Sequence, residues 1–195
     1  MSKPLKPNYL CSSAHTESSH TSLSLSQAIW NNRDLSSVIH NMYKTTGSAQ
    51  PLFVSASRKI SAPRSEIFAV LTDPSKHPLL DGSTTVKGVI SGNKLALGTK
   101  FSMSMRLWVP YHITNTVVEY EEDSLIAWRH FFGHRWRYEL DQVDENTTLV
   151  TETFDYSTAK SPSGIKLMKF PEKNYLSIVK TLERLANLVE KKETS

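Results

Sequence analysis

The segment KISAPRSEIFAVLTDPSKHPLLDGS, Lys59 to Ser83, changes period once and stops twice. A strand-like run ends at Ile60. The Ser61-Ala62-Pro63 step then starts a helix, with proline in the first turn, where its missing N–H costs nothing. Glu66 suits the positive end of that helix, and Ile67, Phe68, Val70 and Leu71 supply an apolar stripe. Asp73-Pro74 ends it. Asp73 to Leu80, bracketed by Pro74 and Pro78, reads as a helical turn. Asp73, His77 and Asp81 are spaced by four, which at helical pitch would align them like metal ligands. The two prolines break that register, and two carboxylates with one histidine make a thin zinc set, so a helix stop and an Asp81-Gly82 turn are expected and no metal.

Upstream, Phe53 to Ile60 alternates Phe53, Ser55 and Ser57 against Val54, Ala56 and Arg58, a first strand. Residues 1–50 differ in kind: eleven serines and four threonines stand against two acidic residues, Glu17 and Asp34. A flexible extension is expected there, with a short helix over 34–43 carrying Leu35, Val38, Ile39 and Met42 on one face. An organelle transit peptide is the alternative, and Arg33 as the sole arginine argues against it.

Downstream, β-branched residues mark Thr84 to Ile90 as a strand closed by Ser91-Gly92-Asn93. Lys100 to Trp108 alternates Phe101, Met103, Met105 and Leu107 against Ser102, Ser104 and Arg106. Tyr111 to Tyr120, Ile126 to Phe132, Arg135 to Val143 and Thr147 to Tyr156 follow as strands, the middle two joined by a Gly133-His134 turn. After Ser161-Pro162-Ser163-Gly164 comes a long amphipathic helix, with Tyr175, Ile178, Val179, Leu182, Leu185, Ala186 and Val189 on one face. It begins or kinks at Pro171. The order is strand, two short helices, six strands, long helix: an α+β domain over 52–190 with an antiparallel sheet of about seven strands.

Composition narrows the function classes. Charged residues make up 22% and hydrophobic ones 38% of 195 residues, ordinary for a globular protein. No apolar run is long enough for a membrane span. The lone Cys11 excludes an internal disulfide and suits a reducing compartment, so a cytoplasmic location is expected. The net charge of +4 is spread out. Only Arg129, His134, Arg135 and Arg137 cluster, and alternation can put Arg135 and Arg137 on an outer face, so nucleic-acid binding is not expected. Oligomeric state is left open.

Three pieces of text occur in a recognisable order: Ile60-Ser-Ala-Pro63 with Ile67, Phe68 and Asp73; Asn115-Thr-Val-Val-Glu119 leading to Ile126-Ala-Trp128; and Thr147-Thr-Leu-Val-Thr-Glu152. On these the chain resembles, over residues 52–190, the SRPBCC superfamily, also called START-like or helix-grip, on its polyketide cyclase/dehydrase side. The resemblance implies a curved sheet wrapped around the C-terminal helix, a cavity between them and no cofactor. It also implies binding of a hydrophobic or aromatic small molecule, lipid or polyketide-like. Two alternatives stand beside binding: a cyclase or dehydratase enzyme using one acid–base residue, and a protein-interaction module of the same fold.

Within that frame, Val150, Glu152, Phe154 and Tyr156 share one face of the last strand. If that face is inner, Glu152 is a desolvated carboxylate with a raised pKa, a possible general acid or base. If it is outer, Glu152 pairs across to Arg135 or Arg137. His130, expected on the Ile126, Trp128 and Phe132 face, is the second candidate base. The expected ligand-contacting set is Met103, Asn115, Trp128, Trp136, Tyr138 and Phe154 from the strands, with Ile178 and Leu182 from the helix.

Overall fold

The computed structural model describes residues 51–190; the expected flexible extension and its 34–43 helix lie outside the described residues. Seven strands form one antiparallel sheet: β1 (Phe53–Ile60), β2 (Val86–Ser91), β3 (Lys100–Arg106), β4 (Pro110–Glu121), β5 (Leu125–Arg129), β6 (Arg135–Asp144) and β7 (Thr147–Asp155). Their order is β1-β7-β6-β5-β4-β3-β2, so every hairpin neighbour pairs and the last strand returns beside the first. Helices α1 (Arg64–Leu71) and α2 (His77–Leu80) follow β1, with a 3₁₀ turn over Pro74–Lys76 between them. Helices α3 (Pro162–Leu167) and α4 (Phe170–Val189) follow β7. This is the α+β helix-grip architecture. No described helix is long and apolar enough to cross a membrane.

The opening segment folds as its punctuation dictates. Pro63 caps α1, Ile67, Phe68 and Leu71 are buried, and Val70 is only half-buried at the stripe's edge. Asp73 ends it by accepting from the Ser75 N–H at 2.9 Å and the Ser75 hydroxyl at 2.6 Å. The inner face of β7 carries Thr148, Val150, Glu152 and Phe154, all buried, against half-buried alternates. Register shifts interrupt the β2–β3, β4–β5 and β6–β7 ladders, and such irregularities bend a sheet toward one face.

Several strand ends differ from those expected, β3 stopping at Arg106 rather than Trp108, and two of the shifts have clear local reasons. β2 starts at Val86, not Thr84, because Asp81 ties the preceding turn. Its carboxylate accepts from Ser83 N at 3.0 Å and Val86 N at 2.7 Å, and Thr84 has φ 61°. β5 ends at Arg129, since Gly133 N–H closes a turn onto His130 O at 2.9 Å and Gly133 takes φ 92°. Of the two alternatives at Pro171, the long helix begins there: α4 starts at Phe170 with Pro171 in its first turn, and Lys169, at φ 55°, separates it from the short α3. On α4, Ile178, Leu182, Leu185 and Ala186 are buried, and the helix packs on β1 and β7. Each of the three larger side chains contributes roughly 1.5–3 kcal/mol of burial free energy.

Candidate functional site

Between the inner face of the sheet and helices α2 and α4 lies a cavity of about 820 Å³. Its deep wall is aromatic. Trp128 is stacked between His77 and Tyr138, with centroids at 5.1 and 5.4 Å, and Phe101 meets its edge at 5.7 Å. Trp136 and Phe154, register partners on β6 and β7, lie 4.9 Å apart and extend the wall. These contacts follow from alternation: Ile126 and Trp128 of β5, Trp136, Tyr138 and Leu140 of β6, and Thr148 to Phe154 at even positions of β7 share the inner face. Met103 and Asn115 border the same space from β3 and β4.

Glu152 is also on this wall, 2% exposed, directly across from Tyr138. Burial raises its pKa to about 8, a hydrogen bond from Tyr138 works in the opposite sense, and the negative charge of Asp81 adds to the rise. Glu152 therefore holds its proton at neutral pH. Its Oε2 has no hydrogen-bond partner among the described residues. Burial, the Glu152 charge, the shared hydrogen bond and Asp81 keep the Tyr138 phenol protonated far into the alkaline range. The pair is a small polar island in an apolar wall.

The arginines expected to pair with an outward-facing Glu152 are on the other side of the sheet. Arg135 binds Glu119 at 3.0 Å and Asp155 at 2.5 Å. Arg137 binds Glu119 at 3.0 Å and also pairs with Glu139. A residue of period two cannot reach both faces, so the outer arginines leave the inner carboxyl without a cation.

His130 borders the cavity as expected, but from the β5–β6 loop rather than from a strand, and it lies against His134. His130 Nδ1 accepts from Phe132 N–H at 3.3 Å, so its own proton sits on Nε2 and is donated to His134 Nε2 at 2.7 Å. His134 must then carry its proton on Nδ1, which is buried without an acceptor among the described residues. Adding a proton to either ring sets two donors against each other. Burial lowers the pKa of His130 to about 4, and burial with the nearby His130 charge lowers that of His134 to about 4. A lowered histidine pKa means stability that is full above 6.5, the free value, and lost as pH falls through about 4. Imidazole C2-proton titration by NMR should therefore show both rings neutral at pH 6.5, the loop signals broadening only on further acidification. A normal titration of both rings would refute the buried neutral pair.

Ile178 and Leu182 need correction: they do not border the cavity. Both are packed in the core, because the apolar stripe of α4 is turned toward β1 and β7. The helix shows the cavity its next face, Asn174, Ser177 and Thr181, at spacings of three and four. The Thr181 hydroxyl donates to Ser177 O at 3.0 Å and accepts from Gly82 N–H at 3.0 Å, seating the helix on the α2–β2 turn. Sequence reasoning missed this face because its residues are polar.

His77, Asp73 and Asp81 do not converge. His77 Nε2 lies 2.9 Å from Leu71 O and its ring is stacked on Trp128, while Asp73 and Asp81 accept from their own turns. His77 and His134 are wall residues that were not anticipated. The His130/His134 spacing around Phe-Phe-Gly was the available signal for the second.

The family model described as polyketide cyclase / dehydrase and lipid transport matches residues 52–190. An uncharacterized Mycobacterium tuberculosis protein, Rv0088, is 41% identical over 152 residues, spanning 75% of this chain and 68% of that one. A START superfamily protein from Mycobacterium smegmatis superposes with TM-score 0.55 at 14% identity, over 70% of this chain and 96% of that one. Norcoclaurine synthase from Thalictrum flavum, solved in complex with dopamine and hydroxybenzaldehyde, gives 0.51 at 14%, over 70% and 84%. These structural likenesses concern the fold. The family match over residues 52–190 places this chain in the polyketide cyclase / dehydrase and lipid transport family, and the strand order with the cavity under the C-terminal helix gives it a START-like fold.

Proposed function

We propose that the protein binds an apolar or aromatic small molecule between the sheet and α4. The observation that carries this reading is an 820 Å³ cavity walled by Phe101, Trp128, Trp136 and Phe154 with a buried carboxyl, Glu152, on the same wall. Cavities of roughly 300–1,000 Å³ with apolar walls and few polar groups suit drug-sized ligands. Ring faces supply apolar contact, and Glu152, Tyr138 and Asn115 orient a carbonyl or hydroxyl on the ligand. A cytoplasmic location goes with this proposal, in keeping with the lone Cys11.

The test is thermal unfolding with a panel of polycyclic phenols, aromatic ketones and long-chain fatty acids, alongside tryptophan fluorescence. At a free concentration about a hundredfold above Kd, a ligand specific to the native state adds about 2.7 kcal/mol of stability. A rise in Tm with quenching of Trp128 and Trp136 is expected. A panel that moves neither signal would overturn the proposal.

A second reading, catalysis of the cyclase or dehydratase type, is favoured by one observation. The Glu152 pKa of about 8 is close to that of a working acid–base group at neutral pH. In this reading Glu152 gives or takes the proton, while Tyr138 holds the carboxyl in place. Glu152→Gln should then abolish turnover and keep ligand binding; retained turnover would sink it.

A further inference from the structure

The side chains around the opening of the cavity are apolar and stand out in solvent. Leu107 from the β3–β4 turn, Phe132 from the β5–β6 loop and Met168 from the α3–α4 corner all border the cavity, yet each is more than half exposed. They therefore sit at its mouth. Their neighbours project further: Trp108 is 90% exposed and Leu167 85%. The loops are tied together on one side, where Lys160 N–H donates to Phe132 O at 3.0 Å and the Thr158 hydroxyl to Gly133 O at 2.8 Å. An indole left almost wholly in water on a turn of this kind contributes nothing to the core, and an exposed apolar rim marks a contact surface.

Cations stand among these side chains. Lys160 Nζ lies 5.9 Å from the Phe131 ring centre and Lys173 Nζ 5.9 Å from that of Phe170, both lysines bordering the mouth. Lys169 is exposed at the α3–α4 break. From Ser157 to Asn174 the sequence has four lysines against one acid, Glu172, whose Oε2 is turned inward. Exposed lysines with their ammonium groups held over aromatic rings, beside exposed apolar tips, suit a water–lipid boundary.

We propose that this rim docks the protein on the surface of an anionic lipid bilayer. Trp108, Leu167 and Met168 enter the headgroup and upper acyl region, and Lys160, Lys169 and Lys173 meet lipid phosphates and carboxylates. Charge decides among the possible occupants. A second copy would bring the same lysines against these. The chain's own first 50 residues carry Lys3, Lys6, Arg33 and Lys44 against Glu17 and Asp34, and so have the same sign as the rim. The apolar tips also come from three separate turns, with Lys160 held over Phe131 and Lys169 next to Met168 in the chain. A fluid bilayer accommodates that relief without a matching shape. The docking is independent of what the cavity holds, and it points the mouth at the lipid.

The test is co-sedimentation of the full chain with vesicles of phosphatidylcholine alone and of roughly 3:1 phosphatidylcholine–phosphatidylserine at low salt. Binding to the mixed vesicles should exceed binding to the neutral ones by about tenfold or more and weaken as salt rises. The W108S/L167S double variant alters only exposed side chains, so its Tm should match the parent while its partitioning falls about tenfold. The K160Q/K169Q/K173Q variant should lose the preference for phosphatidylserine. Equal binding to both vesicles, no binding to either, or unchanged partitioning of W108S/L167S would each overturn the proposal. So would a concentration-dependent dimer abolished by W108S/L167S with no vesicle binding, which would assign the rim to a second copy.

Discussion

Glu152→Gln should become progressively more stable than the parent protein as pH rises from 4.5 to 8. In the native state the Glu152 pKa is raised from 4.5 to about 8, chiefly by burial. Between those values the folded protein keeps a proton that the unfolded chain releases. Parental stability from this group is thus full below 4.5 and is lost as pH climbs through about 8. The amide carries no titrating proton, so its own offset is the same at every pH. The shift corresponds to up to about 5 kcal/mol between the two ends. Urea unfolding of both proteins across the window measures it as a widening gap between the curves. Parallel curves would mean that Glu152 is solvated in the native state. The comparison isolates Glu152 from His130 and His134, whose lowered pKa values destabilise both proteins equally on acidification.

Gly82→Ala is expected to be among the most damaging single changes on the cavity side of the fold. A Cβ at this position would lie 2.1 Å from Ser177 O, 2.7 Å from Thr181 N and 2.8 Å from Lys180 Cβ. Two of those three atoms are α4 backbone, so no rotamer change relieves the clash and the helix must move. Overpacking of this kind costs about 3 kcal/mol. That amounts to a fall in Tm on the order of 10 °C for a domain of this size. Ser177 and Thr181 border the cavity, so a displaced helix should also weaken ligand binding. Gly88→Ala is the control, because nothing lies within 4 Å of its added Cβ. Equal Tm values for the two variants would show that α4 does not rest on this turn.

Both effects depend on contacts between distant parts of the chain, and this is where reading the sequence stopped working. Alternation within each strand was legible: it set Trp136 and Tyr138 against Arg135 and Arg137 on β6, and Glu152 with Phe154 on β7, but left Glu152 free to lie with Tyr138 or with the arginines. Which face was inner was not legible, since period two is symmetric between them. The amphipathic stripe of α4 gave Ile178 and Leu182 as buried, correctly. It did not say that their neighbours would be β1 and β7, with Ser177 and Thr181 facing the cavity. His130 was placed in a strand because the strand pattern runs on through Phe132 in residue type. The backbone turns at Gly133, and local hydrogen bonds win there over propensity.

What the sequence determined by itself is therefore the order of elements and the alternation within each strand. Period, proline and glycine act over a few residues and are written locally. The surroundings of Glu152, the rotation of α4 and the seat at Gly82 were decided only by the tertiary structure. Dielectric, clash and hydrogen-bond partners depend on atoms that lie far apart in the chain and meet only when the sheet closes over the helix. Even in the opening stretch from Lys59 to Ser83, the sequence marked the Asp81-Gly82 turn, and folding made it the place where α4 rests.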